Sequence, residues 1–170
     1  MTAPPASRHG DLLLLASPGL FLLHEVEEYH TMLPWIRAHG DVLPELVRAR
    51  APDDPSFILL GGALLFAVFV AVAIACIRSG TSRRLWTLFA ILVLARLENS
   101  VGHMAMTAIF RGYTFGVITA ALIVFPLSLL IVRELVLRGV VERASLPRHA
   151  VWALGIQALV LGTSFVLNFR

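Results

Sequence analysis

Residues 56–77 read SFILLGGALLFAVFVAVAIACI, an uncharged run that needs only an α-helix to satisfy its backbone in lipid. About 20 such residues cross a hydrocarbon core of roughly 30 Å, so this stretch sets the class of the protein. Working outward, 116–137 and 150–169 have the same character. Residues 85–109 have the length but carry Arg96, Glu98, Asn99 and His103. A further run, Leu12–Leu23, is apolar for twelve positions and then enters His24-Glu25-Val26-Glu27-Glu28-Tyr29-His30.

Composition points the same way. Of 170 residues, 58% are apolar and 15% charged, against about 45–50% and 25% in a typical soluble domain. Mean hydropathy is +0.81. Disorder and coiled coil are excluded, and no block of like charge forms that would bind nucleic acid. All fourteen basic residues are arginine, and the lone Cys76 has no partner for a disulfide.

Leu12–Leu23 has the length of a signal-peptide core, but a charged motif stands where small cleavage-site residues belong. It reads as a retained helix from Leu12 to Ile36, kinked at Pro18-Gly19 and closed by Pro34 and Trp35, the latter an interfacial anchor. The expected fold is therefore an all-α polytopic membrane bundle forming one domain over 1–170. Its five spans are 12–36, 56–77, 85–109, 116–137 and 150–169, with an interfacial segment within 37–55 after the first. With the N-terminus inside, eight arginines fall in cytoplasmic segments and five on the other side, which favours a cytoplasmic N-terminus in the inner membrane.

A charge at a helix centre costs about 2.5–3.5 kcal/mol on insertion scales, so each one calls for a reason. His24, Glu27, Glu28 and Thr31 share a face of the first helix at i, i+3, i+4, i+7 spacing. Arg96, Asn99, Ser100, His103 and Thr107 make a stripe on the third, with Glu98 on a flanking face. His24 is residue 13 of its span and Glu28 residue 17; Asn99 and His103 are residues 15 and 19 of theirs. Both helices travel in one direction, so the two stripes meet at one depth.

Charge then limits the chemistry. Glu25, Glu27, Glu28 and Glu98 set against Arg96 leave a residual −3 that low dielectric does not tolerate. Protons or a metal must neutralise it. Two imidazoles and several carboxylates suit zinc or non-haem iron, one ion or two. The expected ligands are His24, Glu27, Glu28 and His103. Glu98 is a further ligand or acid/base, Arg96 holds an anionic group or a supporting carboxylate, and Asn99 orients water or substrate. Glu25, His30 and His39 read as interfacial or exposed, and Tyr113 and Thr114 as boundary anchors.

Residues His24-Glu25-Val26-Glu27-Glu28, Asn99-x-x-x-His103 and Tyr113-x-x-Gly116-x-x-Thr119 together resemble the HXXEE-motif family, bacterial membrane proteins whose function is not established. The usual proline before that glycine is Phe115 here. The resemblance spans about 22–130 and implies a shared buried site, with no substrate attached.

The expected function is an intramembrane metal-dependent enzyme acting on a hydrophobic or lipid-like substrate, by hydrolysis or oxidation. A metal-free acid/base isomerase or cyclase, an ion- or proton-coupled transporter and a small membrane subunit remain open. Partners are the bilayer, a hydrophobic small molecule or lipid, and a second copy in a homo-oligomer. An enzyme of this kind needs a side opening to lipid, with the cytoplasmic half of the bundle closed.

Overall fold

The computed structural model describes residues 8–43, 45, 56–79 and 82–167. Among these the chain is helical, without strands. Helix α1 is Arg8–Ala38, α2 Ser56–Ser79, α3 Arg83–Phe110 and α5 Leu146–Leu167. Helix α4, Val117–Leu137, is built from one α turn, a π turn at Ala120–Val124 and the α segment Phe125–Leu137. Three of these are long and apolar enough to cross a membrane: α2 over Gly62–Ser79, α3 and α4. In α1 the apolar run, not the helix, is broken by Glu25, Glu27 and Glu28. Of the predicted interfacial segment, Leu46 and Val47 lie outside the described residues.

Two prolines inside α1 leave it continuous. Pro18 has no N–H for the carbonyl of Leu14 one turn back, and the Ser17 hydroxyl donates to that carbonyl at 2.8 Å instead. Pro34 does not close the helix, which runs on to Ala38. Nor does Trp35 face lipid. It is buried, its Nε1 donates to the Tyr113 carbonyl at 2.8 Å, and His39 stacks on it. In α4, the π turn precedes Pro126, and Phe125 N–H reaches back to the Ala120 carbonyl.

Helix α1 packs on α2 and on the start of α4, while α3 packs on α2, α4 and α5. One end of the bundle is filled by an aliphatic and aromatic core. Leu14 and Phe21, Phe69 and Cys76, Trp86 and Phe89, and Ile131 and Leu135 bring α1 to α4 together there. A smaller cluster, Leu94, Ala95 and Ala153, seats α5 on α3. The second halves of α1 and α3 and the first turns of α2 and α4 stand at the opposite end. That is where the polar side chains collect.

Candidate metal centre

His24 and Glu28 lie one turn apart on α1, and His103 faces them from α3. His103 Nε2 is 3.0 Å and His24 Nε2 3.9 Å from Glu28 Oε1. The two imidazoles meet edge to face, with centroids 4.8 Å apart. One ligating atom from each residue lies within 4.8 Å of the others. Both histidines are buried, and the Glu28 side chain is 18% exposed.

The other nitrogen of each ring is committed. His103 Nδ1 is 2.9 Å from the Phe115 carbonyl, which can only accept, so Nδ1 carries the proton. That leaves an Nε2 lone pair pointing at a carboxylate oxygen. Two acceptors at 3.0 Å repel unless a proton or a cation lies between them.

His24 is fixed by a longer chain of bonds. Its Nδ1 is 2.9 Å from Thr119 Oγ1, and that hydroxyl donates to Glu27 Oε2. Thr119 Oγ1 therefore accepts from His24, whose Nε2 lone pair is directed into the cluster. Asn99 Nδ2 donates to it at 3.1 Å.

Glu27 is thus a support rather than one of the converging three. Its carboxylate also accepts from the backbone N–H groups of Ile118 and Thr119, at 3.2 and 2.7 Å, and from the Tyr113 hydroxyl at 2.9 Å. The N-cap residue of α4 is Gly116, which has no side chain to satisfy the first turn. A carboxylate from α1 does so instead, at the positive end of the helix dipole.

Gly116 closes the cluster from the α4 side. Its φ is +73°, and a Cβ there would lie 2.9 Å from His24 Cε1, 3.0 Å from Glu28 Cγ and 3.0 Å from His103 Cε1. Only glycine allows both that backbone conformation and that approach. Thr114, buried beside it, hydrogen-bonds Thr107 at 2.7 Å and the His103 carbonyl, and so ties the α3–α4 connection to α3.

The remaining expected residues take other positions. Arg96 pairs with Glu25, which is buried between α1, α2 and α3 rather than exposed. Gly62 makes room for it, since a Cβ there would meet Glu25 Cγ at 3.1 Å. Glu98 accepts from Gln157 of α5 at 3.0 Å and is turned away from the histidines. His30 is exposed, and His39 is half-buried against Trp35. Tyr113 and Thr114 are bonded parts of the site rather than boundary anchors. Sequence reasoning missed Glu25. The signal was the charge count itself, since one arginine at that depth takes one carboxylate as its own.

Fold and site together define a membrane-type helical protein with two histidines and a carboxylate facing one point between helices. A family model described as a protein of unknown function with HXXEE motif matches residues 15–131, and the chain belongs to that family. Its motif residues are His24, Glu27 and Glu28. No curated protein and no solved structure matches the chain.

Proposed function

We propose that the protein is an intramembrane metal-dependent enzyme that binds a divalent zinc or iron ion through His24, Glu28 and His103. The observation that carries the reading is the pair of opposed acceptors, His103 Nε2 and Glu28 Oε1, inside a trio whose other histidine also directs an unprotonated nitrogen inward, where Asn99 donates to it. Each imidazole is oriented by a bond at its far nitrogen, the arrangement metal-ligating histidines use. Two metal bonds of about 2.0–2.2 Å reach across at most ~4.4 Å, so the trio needs a contraction of only a few tenths of an ångström. With an ion bound, His24 would hold it through Nε2 in place of the Asn99 amide, which would then be available to orient a substrate.

Charge supports the same reading. Glu25 and Arg96 cancel and Glu98 lies apart on Gln157, which leaves −2 on Glu27 and Glu28 beside the cluster for a divalent ion to balance. Such an ion supplies Lewis acidity or, as iron, redox chemistry at a lipid-like substrate. The chain's own residues hold the geometry: Thr119 and Phe115 fix the imidazoles, Glu27 fixes Thr119, and Gly116 excludes bulk.

In this reading all five helices cross the inner membrane with the N-terminus cytoplasmic. Helix α1 crosses despite its charges because each of its three glutamates has a partner. The test is elemental analysis of the detergent-purified full chain. About one zinc or iron per chain is expected, falling at least tenfold in His103→Ala. A monodisperse wild type that takes up neither metal would overturn the proposal.

A further inference from the structure

Glu98 is residue 16 of the 28 in α3, a helix apolar and long enough to cross the membrane, so it lies close to the midplane. A carboxyl group at that depth belongs in the bundle interior or beside an opposite charge. Glu98 has neither. Among the described residues it accepts one hydrogen bond, from Gln157 Nε2 at 3.0 Å, and both side chains are only half-buried.

Helix geometry shows which way the pair looks. Leu94 and Ala95, one turn before Glu98 on the same face, are buried against Ala153 of α5. Gln157 is one turn beyond Ala153. One and two turns after Glu98, the same face continues as Val101, Gly102 and Ala105, and all three are exposed. Ala108 and Ile109 beyond them are exposed as well. Glu98 and Gln157 therefore mark the place where the cover of α5 over α3 ends, on the side of α3 away from His103.

The chemistry of the pair decides what can cover it. Lipid tails offer neither donor nor acceptor. Gln157 keeps a second amide hydrogen and its carbonyl oxygen, and Glu98 keeps a second carboxyl oxygen. These needs are self-complementary. A two-fold axis sets the same patch opposite itself, so that the spare amide hydrogen of each chain meets the spare carboxyl oxygen of the other. Polar side chains join membrane helices in this way where short neighbours let the backbones come close. Val101, Gly102, Ala105 and Ala108 are such neighbours.

We infer that this face of α3 is the contact between two copies of the chain in the membrane, closed by Glu98 and Gln157 of each copy. The contact lies behind the metal centre and does not depend on a bound ion.

The experiment uses the full chain in lipid vesicles at a low ratio of protein to lipid. Single cysteines are introduced at Val101 or Ala108, on the face, and at Leu64 of α2 or Leu122 of α4, exposed on other faces. The wild type, whose Cys76 is buried, gives the baseline. With a short bismaleimide, Val101→Cys and Ala108→Cys should yield at least fivefold more cross-linked dimer than Leu64→Cys and Leu122→Cys. Adding Glu98→Leu/Gln157→Leu to Val101→Cys should remove most of that excess, whereas adding Glu98→Gln, which still donates and accepts, should keep it within twofold. Ala105→Trp leaves the polar pair intact and blocks the close approach, and it too should remove the excess. Single-molecule photobleaching of labelled wild type should show two chains per particle. A chain that stays single, equal cross-linking on all faces, or an excess untouched by both disruptive changes would overturn the inference.

Discussion

Gly116 lies so close to His24 that a single methyl group on its Cα would sit 2.9 Å from the imidazole Cε1. The same methyl would crowd Glu28 and His103. The backbone of the α3–α4 connection is thus the fourth wall of the site, and the glycine ties the second half of the sequence to the motif in the first.

Gly116→Ala should therefore fail twice, through the left-handed backbone and through the collision. The backbone alone costs about 1–2 kcal/mol. The expected result is a lower unfolding temperature in detergent and at least a tenfold weaker metal affinity. Gly102→Ala is the control, since it lies within α3 with nothing within 4 Å of a new Cβ. It should be neutral or slightly stabilising.

The bonds behind His24 predict the effect of Glu27. Glu27→Gln keeps the shape and removes the charge that receives the Thr119 hydroxyl and two backbone N–H groups. Supports of this kind change metal affinity by about 10–100-fold when lost. Thr119→Val should fall in the same range, because it breaks the same link one bond nearer to His24. Titration with zinc against a competing chelator would show it, and wild-type affinity in both variants would rule the relay out.

The Arg96–Glu25 pair makes a prediction about stability alone. Removing one partner strands a buried charge, at about 3–5 kcal/mol, whereas removing both strands none. Arg96→Gln should lower the unfolding temperature well below that of Glu25→Gln/Arg96→Gln. Additive losses across the double-mutant cycle would mean that the two groups do not interact.

Much of this architecture is legible in the sequence because hydropathy and helix period are local. The helix runs read as 56–77, 85–109 and 116–137 differ from the observed α2, α3 and α4 by at most two residues at any end. Matched depth also brought His24, Glu28 and His103 to one level. What a helical wheel does not give is the neighbour on each flank. Glu25 and Glu98 each sit off their stripe by about 100°, yet one turned out to face α2 and Arg96 and the other α5 and Gln157. Glu27 shares the face of His24 and Glu28, but the uncapped start of α4 claims it, and that is a property of the tertiary contact. Pro34 and Trp35 misled for a related reason. A proline reads as a stop until a neighbouring helix supplies the packing that keeps the chain helical.

Tyr113 tests how far the site extends toward the surface. It is 44% exposed, and its hydroxyl donates to Glu27 Oε1. Tyr113→Phe removes one exposed hydrogen bond and leaves three other donors on that carboxylate, so stability should fall by no more than about 1 kcal/mol. Metal content should stay within twofold of wild type. A loss as large as that of Thr119→Val would place Tyr113 among the residues that hold the cluster.

The central claim is that His24, Glu28 and His103 bind one ion together. X-ray absorption at the metal edge of the purified full chain, loaded with zinc or iron(II), tests it most directly. The expected result is a set of ligands with two imidazole nitrogens and at least one carboxylate oxygen at about 2.0–2.2 Å, lost in both His24→Ala and His103→Ala. A shell made only of water and buffer oxygens, or an imidazole signal that survives both substitutions, would contradict it.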